Sequence, residues 1–168
     1  DPRFCAPVFF SSAPWLRPAL ALVRSFAASD LYKSQVMVGM MGAGKTAVGR
    51  ALAGVLQVPF LDSDQEIEEA AAMSIAEIFE RDGEAFFRER ATQGIRRLLA
   101  GAPCVLSTGG GAYLSPANRK MITEHGLALW LNADLDLLWS RVKHRDSRPL
   151  LKTPDPFGTL KSLYETRV

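Results

Sequence analysis

Residues 39–46 read Gly-Met-Met-Gly-Ala-Gly-Lys-Thr and match the pattern Gly-x-x-x-x-Gly-Lys-Thr over its full length. A strand-like apolar run, residues 35–38, precedes this stretch, and an amphipathic helical segment, residues 47–56, follows it. Glycines let the backbone curl until successive N–H groups point into one concavity, and the helix adds the positive end of its dipole. The stretch therefore predicts a phosphate-binding loop for a nucleotide, with a glycine-rich tight turn as the alternative.

Individual residues of this loop have predicted tasks. The Lys45 ammonium can neutralise charge on the phosphate being transferred, which makes Lys45 a candidate catalytic residue. The Thr46 hydroxyl can coordinate the Mg²⁺ that bridges the phosphates. The predicted ATP-binding residues of the loop are Gly42, Ala43, Gly44, Lys45, Thr46 and Ala47.

Downstream of the loop, short apolar runs alternate with amphipathic segments, which predicts an α/β protein built from βαβ units around a parallel sheet. Further strands are predicted at residues 59–61, 104–107 and 127–131. Helices are predicted at residues 66–81, 84–99 and 134–143. Residues 144–158 contain three prolines and a glycine and predict a loop long enough to act as a lid.

Composition restricts the class of protein. The chain has 168 residues, 48% hydrophobic and 23% charged, which fits one globular domain over residues 34–168. A net charge of +2 is too small for the broad basic field of a nucleic-acid binder, and no apolar run reaches the length of a membrane span. The two cysteines, Cys5 and Cys104, lack metal-ligand spacing, so a reducing cytoplasm is the expected compartment.

Residues 1–33 differ from the rest because they are rich in proline, phenylalanine, serine and alanine and show little periodicity. We expect an N-terminal extension that is poorly ordered, since Pro14 and Pro18 interrupt the helical candidate there. The alternative is an organelle transit peptide, which the arginines, the serines and the scarcity of acids would suit.

Two carboxylates follow the second predicted strand, at Asp62 and Asp64. Residues two apart on an extended chain face the same way, so both can point toward the sheet edge where ligands bind in such folds. A kinase needs one acid near its metal and another that orients or deprotonates the attacking hydroxyl. The alternative is that one of them caps the following helix, a task for which Asp64 is well placed.

Together with the loop and Asp62-Ser63-Asp64, three further motifs appear in order: residues 87–90 (Phe-Arg-Glu-Arg), 108–111 (Thr-Gly-Gly-Gly) and 148–151 (Arg-Pro-Leu-Leu). These five motifs have the order and approximate spacing that they have in the shikimate kinases, and the chain resembles that family from about residue 35 to residue 167. The resemblance implies a three-layer P-loop NTPase fold like that of nucleoside monophosphate kinases. It also implies a monomer that uses ATP and Mg²⁺ to phosphorylate the 3-hydroxyl of shikimate, on the route to chorismate and aromatic amino acids.

The resemblance gives roles to residues whose spacing leaves them open. It implies that Asp64 binds the substrate and is the candidate base, and that Asp62 acts at the metal through water. It makes Arg88 a partner of the substrate carboxylate, as a guanidinium fork suits, although an ion pair with Glu84 is the alternative. The resemblance also assigns three glycines to the substrate, in place of a plain strand-to-helix turn: Gly109, Gly110 and Gly111.

Three more arginines receive roles in the same way. Arg148, at the start of the lid, is implied to reach the phosphates as a catalytic and ATP-binding residue. Arg141 matches the position beside adenine, with a solvated helix arginine as the alternative. Arg167 matches a second arginine for the substrate carboxylate.

The chain also departs from the family pattern. Ala91 stands where a glutamate usually follows the Phe-Arg pair, so we expect Arg88 to be less firmly oriented and substrate binding to be weaker. Members continue past the Arg167 position, so we expect the C-terminal strand and helix to be missing, with residues 8–10 as a conceivable cover for the open sheet edge. The alternatives for function are another small-molecule kinase, acting on gluconate or a nucleotide, and a non-catalytic nucleotide-binding fragment.

Overall fold

The computed structural model describes residues 6–9, 33–143 and 149–167, and its elements alternate between strand and helix. The strands are β1 (Ala6–Phe9), β2 (Ser34–Val38), β3 (Phe60–Asp62), β4 (Val105–Ser107) and β5 (Gly126–Asn132). The helices are α1 (Lys45–Leu56), α2 (Ser63–Ala71), α3 (Ile75–Leu99), α4 (Pro116–His125), α5 (Leu135–Val142) and α6 (Pro156–Arg167). Short 3-10 helices cover Ala112–Leu114 and Pro149–Leu151.

The described strands form one parallel sheet in the order β1-β5-β2-β4-β3. Ser107 pairs in register with Met37 of β2 on one side and with Asp62 of β3 on the other. The carboxyl ends of these three strands are therefore level, and the loops that follow them open onto one edge of the sheet.

Alternation along the buried strand β2 explains the layers. Val36 and Val38 pack with Ile95 of α3 on one face, whereas Met37 between them packs with Leu52 of α1 on the other. Helices thus cover both faces of the sheet, and the predicted three-layer α/β fold is confirmed. None of the helices in the described ranges combines the length and the apolar character that crossing a bilayer requires.

The helix predicted over residues 66–81 is two helices in the structure. After α2, Ala72 turns the chain with a left-handed backbone (φ 52°). Ser74 then caps α3, because its Oγ accepts from the Glu77 N–H at 3.3 Å and the Glu77 carboxylate accepts from the Ser74 N–H at 2.7 Å. The predicted gap between residues 81 and 84 is instead a kink inside α3 at Gly83 (φ 84°, ψ 171°).

Two other segments differ from the predicted elements. Helix α4 was not predicted, although Ser115 caps it with a hydrogen bond from the Asn118 N–H at 3.4 Å. The loop predicted over residues 144–158 ends earlier, because Asp155 accepts from the Gly158 N–H at 2.9 Å and Pro156 begins α6, as proline can at a first helical position. Residues 144–148 lie outside the described ranges.

Strand β1 lies in the segment expected to be poorly ordered. Its backbone pairs with β5, with Val8 opposite Leu131 and Phe9 opposite Asn132, so β1 and not β5 is the outer strand on this side of the described sheet. Of residues 8–10, the conceivable cover for the sheet edge, Val8 and Phe9 thus pair with β5, and Phe10 lies outside the described residues. The remainder of residues 1–33, apart from Lys33, lies outside the described residues.

Candidate active site

A cleft of about 1060 Å³ opens at the carboxyl ends of β2, β3 and β4. Most of the residues predicted from sequence line it: Gly42, Gly44, Lys45, Thr46, Ala47, Asp62, Asp64, Arg88, Gly109, Gly110, Gly111, Arg141 and Arg167. Ala43 also belongs to the loop, but it is buried and does not line the cleft. Arg148 lies outside the described residues.

The phosphate-binding loop needs its glycines for conformation. Gly39, Gly42 and Gly44 have φ values of 136°, 82° and 99°, a region that residues with a Cβ rarely adopt. Lys45 folds back across the loop, where its Nζ donates to the carbonyl oxygens of Gly39 and Met40, each at 2.9 Å. The ammonium group is thus held at the loop by two of its carbonyl oxygens, and Lys45 also lines the cleft.

The two carboxylates reach the cleft by different routes. Asp62 ends β3 and caps α2, since its Oδ1 accepts from the N–H groups of Asp64 at 3.0 Å and Gln65 at 3.5 Å. One of the two carboxylates thus caps the helix, as the alternative had it, but the cap is Asp62 and not Asp64. Asp64 lies in the first turn of α2, not on extended chain as the spacing argument assumed, yet both side chains line the cleft.

The three consecutive glycines each lie against a different functional group. A Cβ at Gly109 would be 2.8 Å from Asp64 Oδ1, and a Cβ at Gly111 would be 2.8 Å from Arg88 Nη1. A Cβ at Gly110 would be 3.3 Å from the backbone nitrogen of Met41 in the phosphate-binding loop. None of the three has a positive φ, so close approach rather than backbone conformation is what requires glycine here.

Two arginines lie near each other in the wall of the cleft. Arg88 makes the ion pair with Glu84 that was the alternative, at 2.7 Å, and it also lines the cleft; its role toward a substrate carboxylate stays a prediction. Arg167 has its Nε and Nη1 buried without a hydrogen-bond partner among the described residues. Burial, and secondly the Arg88 guanidinium, lower the pKa of Arg167, whereas Glu84 raises it. Buried cationic donors without partners favour an anion as their ligand.

Arg141 is not a solvated helix arginine. Its Nη1 donates to the Gly42 carbonyl at 2.9 Å, which attaches the end of α5 to the phosphate-binding loop. Leu150, in the 3-10 helix that follows residues 144–148, also lines the cleft. Of the segment predicted as a lid, Leu150 therefore borders the cleft.

Apolar side chains surround Ala91 and form one wall of the cleft. Ala91 is 6% exposed and packs with Ile78 and Phe87, so the position where the family has a glutamate is apolar in this chain. Phe87 and Phe79, with ring centroids 4.9 Å apart, line the cleft beside Arg88. Sequence analysis missed this aromatic wall, because its residues have the ordinary spacing of a buried helix face.

A phosphate-binding loop at the end of a central parallel strand, two carboxylates and a separate pair of arginines define a P-loop kinase of small molecules. The family model for shikimate kinase matches residues 41–168. The chain belongs to the shikimate kinase family.

Individual relatives agree with this assignment. A shikimate kinase from Ruegeria pomeroyi is 71% identical over 141 residues, which are 84% of this chain and 72% of that protein. One from Cereibacter sphaeroides is 65% identical over 82% of this chain and 69% of that protein. A shikimate kinase from Acinetobacter baumannii, solved in complex with shikimate, has a TM-score of 0.80 and 39% identity over 83% of this chain and 78% of that chain.

Proposed function

We propose that this protein transfers the γ-phosphoryl group of ATP to the 3-hydroxyl of shikimate, giving shikimate 3-phosphate and ADP. One observation carries the proposal: the phosphate-binding loop, Asp64 and the arginines Arg88 and Arg167 line a single cleft. The loop suits the polyphosphate of ATP, and the arginines suit the carboxylate of shikimate. The hydroxyl that reacts would then lie between them, beside Asp64.

The chemistry follows from that placement. The 3-hydroxyl oxygen forms a bond to the γ-phosphorus while the bond from that phosphorus to the bridging oxygen breaks, and ADP leaves with the bridging oxygen. Asp64 orients the hydroxyl and accepts its proton. Lys45, held over the loop by two carbonyl oxygens, offsets negative charge on the group in transfer.

Thr46 and Asp62 are the residues we assign to Mg²⁺. Hydroxyl and carboxylate oxygens are the hard donors that Mg²⁺ prefers, and both side chains line the cleft. No cluster of three or more His, Cys, Asp or Glu side chains suited to a metal occurs within the described ranges, which fits an ion held largely by phosphates and water. Mg²⁺ held there would supply positive charge that offsets the charge of the phosphates. Because Asp62 Oδ1 caps α2, its other oxygen is the one we assign to the metal, through water.

Substrate orientation is assigned to two arginines and three glycines that line the cleft. Arg88 and Arg167 would bind the carboxylate, and the buried donors of Arg167 would thereby gain the partners that they lack. Gly109, Gly110 and Gly111 would let the ring approach the backbone closely, since no side chain intervenes.

On the nucleotide side, we assign Arg141 to the adenine and Arg148 to the phosphates. The bond from Arg141 to Gly42 places its guanidinium next to the loop, which supports the first assignment. The second rests on the family motif, in which a cation that arrives as the lid closes stabilises charge in the transition state and excludes water. We further infer a cytoplasmic monomer that supplies shikimate 3-phosphate for aromatic amino acid synthesis.

Release of ADP from the purified chain with Mg·ATP tests the proposal. We expect turnover with shikimate but not with gluconate or nucleoside monophosphates. Lys45→Met is expected to lower kcat by about 100-fold or more, since it removes a charge aimed at the transition state. Lys120→Met, at a lysine that is 78% exposed on α4, is the matched control and should leave the rate unchanged. Shikimate-independent release, or equal rates for both variants, would overturn the proposal.

A further inference from the structure

Glu84 lies next to the cleft without lining it, and its carboxylate contacts one edge of the Arg88 guanidinium. Glu84 Oε1 accepts from Arg88 Nε at 3.1 Å and from Arg88 Nη2 at 2.7 Å. A Cβ at Gly111 would come within 2.8 Å of Nη1 and 3.0 Å of Cζ and Nη2, so one face of the guanidinium lies against the glycine turn. Glu84 thus holds the Nε and Nη2 edge of a guanidinium whose face is at the turn, and Nη1 takes no part in the ion pair.

A kink of the α3 backbone directly before Glu84 sets the position of Glu84 beside Arg88. Gly83 has φ 84° and ψ 171°, a combination that is almost exclusive to glycine, and this kink interrupts α3 directly before Glu84. Apart from the adjoining backbone of α3, no atom of the described residues lies within 4 Å of the position that a Cβ would take at Gly83, so conformation and not crowding requires glycine. After the kink, Glu84 is in the first turn of the next helical stretch, one turn before Arg88, which is the favourable order for such a pair.

The charges around Arg88 explain why a partner is needed. Arg167 lies close enough for the Arg88 guanidinium to lower its pKa, and Glu84 acts in the opposite direction. Two guanidinium groups facing one cleft repel each other, and Arg88, with a side chain 30% exposed, has room to move into solvent. A single carboxylate on the outer edge of Arg88 offsets this repulsion and keeps the side chain at the cleft.

We propose that Glu84 is a positioning residue for shikimate: it holds Arg88, through the outer edge of its guanidinium, in the orientation that receives the substrate carboxylate. This proposal rests on the proposed function. In this chain, where residue 91 is a buried alanine, the carboxylate that orients Arg88 comes from the preceding turn of α3. The pair itself contributes little to stability, because Glu84 is 52% exposed and solvent screens it.

Steady-state kinetics with shikimate and Mg·ATP test this role. We expect Glu84→Ala to raise KM for shikimate about tenfold, while kcat and KM for ATP change less than about twofold. Glu84→Gln keeps an oxygen that can accept from Arg88 and should recover part of the loss, with KM raised about threefold. Glu89→Gln removes one charge from the same helix without contacting Arg88, and its KM should match that of the unaltered chain.

A double-mutant cycle separates positioning from a general loosening of α3. In an Arg88→Ala background, Glu84→Ala should change KM less than about twofold, because the residue through which it acts is gone. An equal effect in both backgrounds, or an unchanged KM in Glu84→Ala alone, would overturn the inference while leaving the proposed function intact. An unaltered chain that neither binds nor phosphorylates shikimate would overturn the proposed function, and this inference with it.

Discussion

Substitution of Gly111 by alanine would place a methyl group against Arg88. The new Cβ would lie 2.8 Å from Nη1 and 3.0 Å from both Cζ and Nη2 of that side chain, closer than real Cβ contacts allow. The Gly111 backbone itself tolerates alanine, since its φ of −110° is an ordinary value. The guanidinium is the mobile end of a flexible chain, so we expect Arg88 to be displaced while the fold stays intact.

The size of the effect follows from what Arg88 is proposed to bind. A hydrogen bond between charged groups contributes about 1.5 to 3 kcal/mol, so losing the contact with the substrate carboxylate should raise KM by about 10- to 100-fold. The free energy of unfolding should change by less than about 1 kcal/mol, because the displaced ion pair with Glu84 is solvent-exposed.

Initial rates at varied shikimate concentration, together with urea denaturation, measure both quantities. Gly94→Ala is the matched control: it lies in the same helix as Arg88, nothing is within 4 Å of its Cβ position, and alanine should stabilise that helix by about 0.5 to 1 kcal/mol. A Gly111→Ala variant with unchanged KM would refute the reasoning. A variant that fails to fold would show that the glycine turn is structural.

Three further predictions address neighbouring features. Gly109→Ala puts its Cβ 2.8 Å from Asp64 Oδ1. If Asp64 is the base, this variant should lower kcat by about 10- to 100-fold, a larger factor than the rise in KM. Steady-state kinetics of both variants would show whether Gly109→Ala acts mainly on kcat and Gly111→Ala mainly on KM. Gly83→Ala forces a strained φ and should reduce stability by about 1 to 3 kcal/mol, where an unchanged urea midpoint would contradict the argument. Ala91→Glu introduces a carboxylate among apolar side chains and should destabilise the protein by about 2 to 5 kcal/mol. A lower KM for shikimate at unchanged stability would instead favour a glutamate at residue 91 that orients Arg88, as in the family pattern.

The elements that were predicted well are those whose signals are contiguous. The loop over residues 39–46 depends on backbone freedom and local N–H direction, which neighbouring residues specify without help from the rest of the chain. The strands of the sheet interior are short apolar runs, and they lie within one or two residues of their predicted bounds. Helix starts were less certain, since Ser74 with Glu77 and Ser115 with Pro116 carry capping signals that helical periodicity alone does not register.

The site was predictable as a set of residues but not as an arrangement. Sequence and family resemblance indicated Asp62, Asp64, Arg88 and Arg167, and the structure brings all four to one cleft. One of the two carboxylates does cap α2, but it is Asp62 rather than Asp64, because that choice depends on where β3 ends and α2 begins. The partners of the glycine turn were not predictable at all, since they come from three different elements.

The sequence by itself determined the nucleotide-binding loop, the alternation of strand and helix, and the family, because these depend on local patterns and on motifs read in order. Tertiary structure decided which groups meet: Gly109 against Asp64, Gly111 against Arg88, and Arg88 close to Arg167. The physical reason is that such contacts join residues far apart in the chain. Their distances are set by strand order and helix packing, which no single stretch of sequence contains.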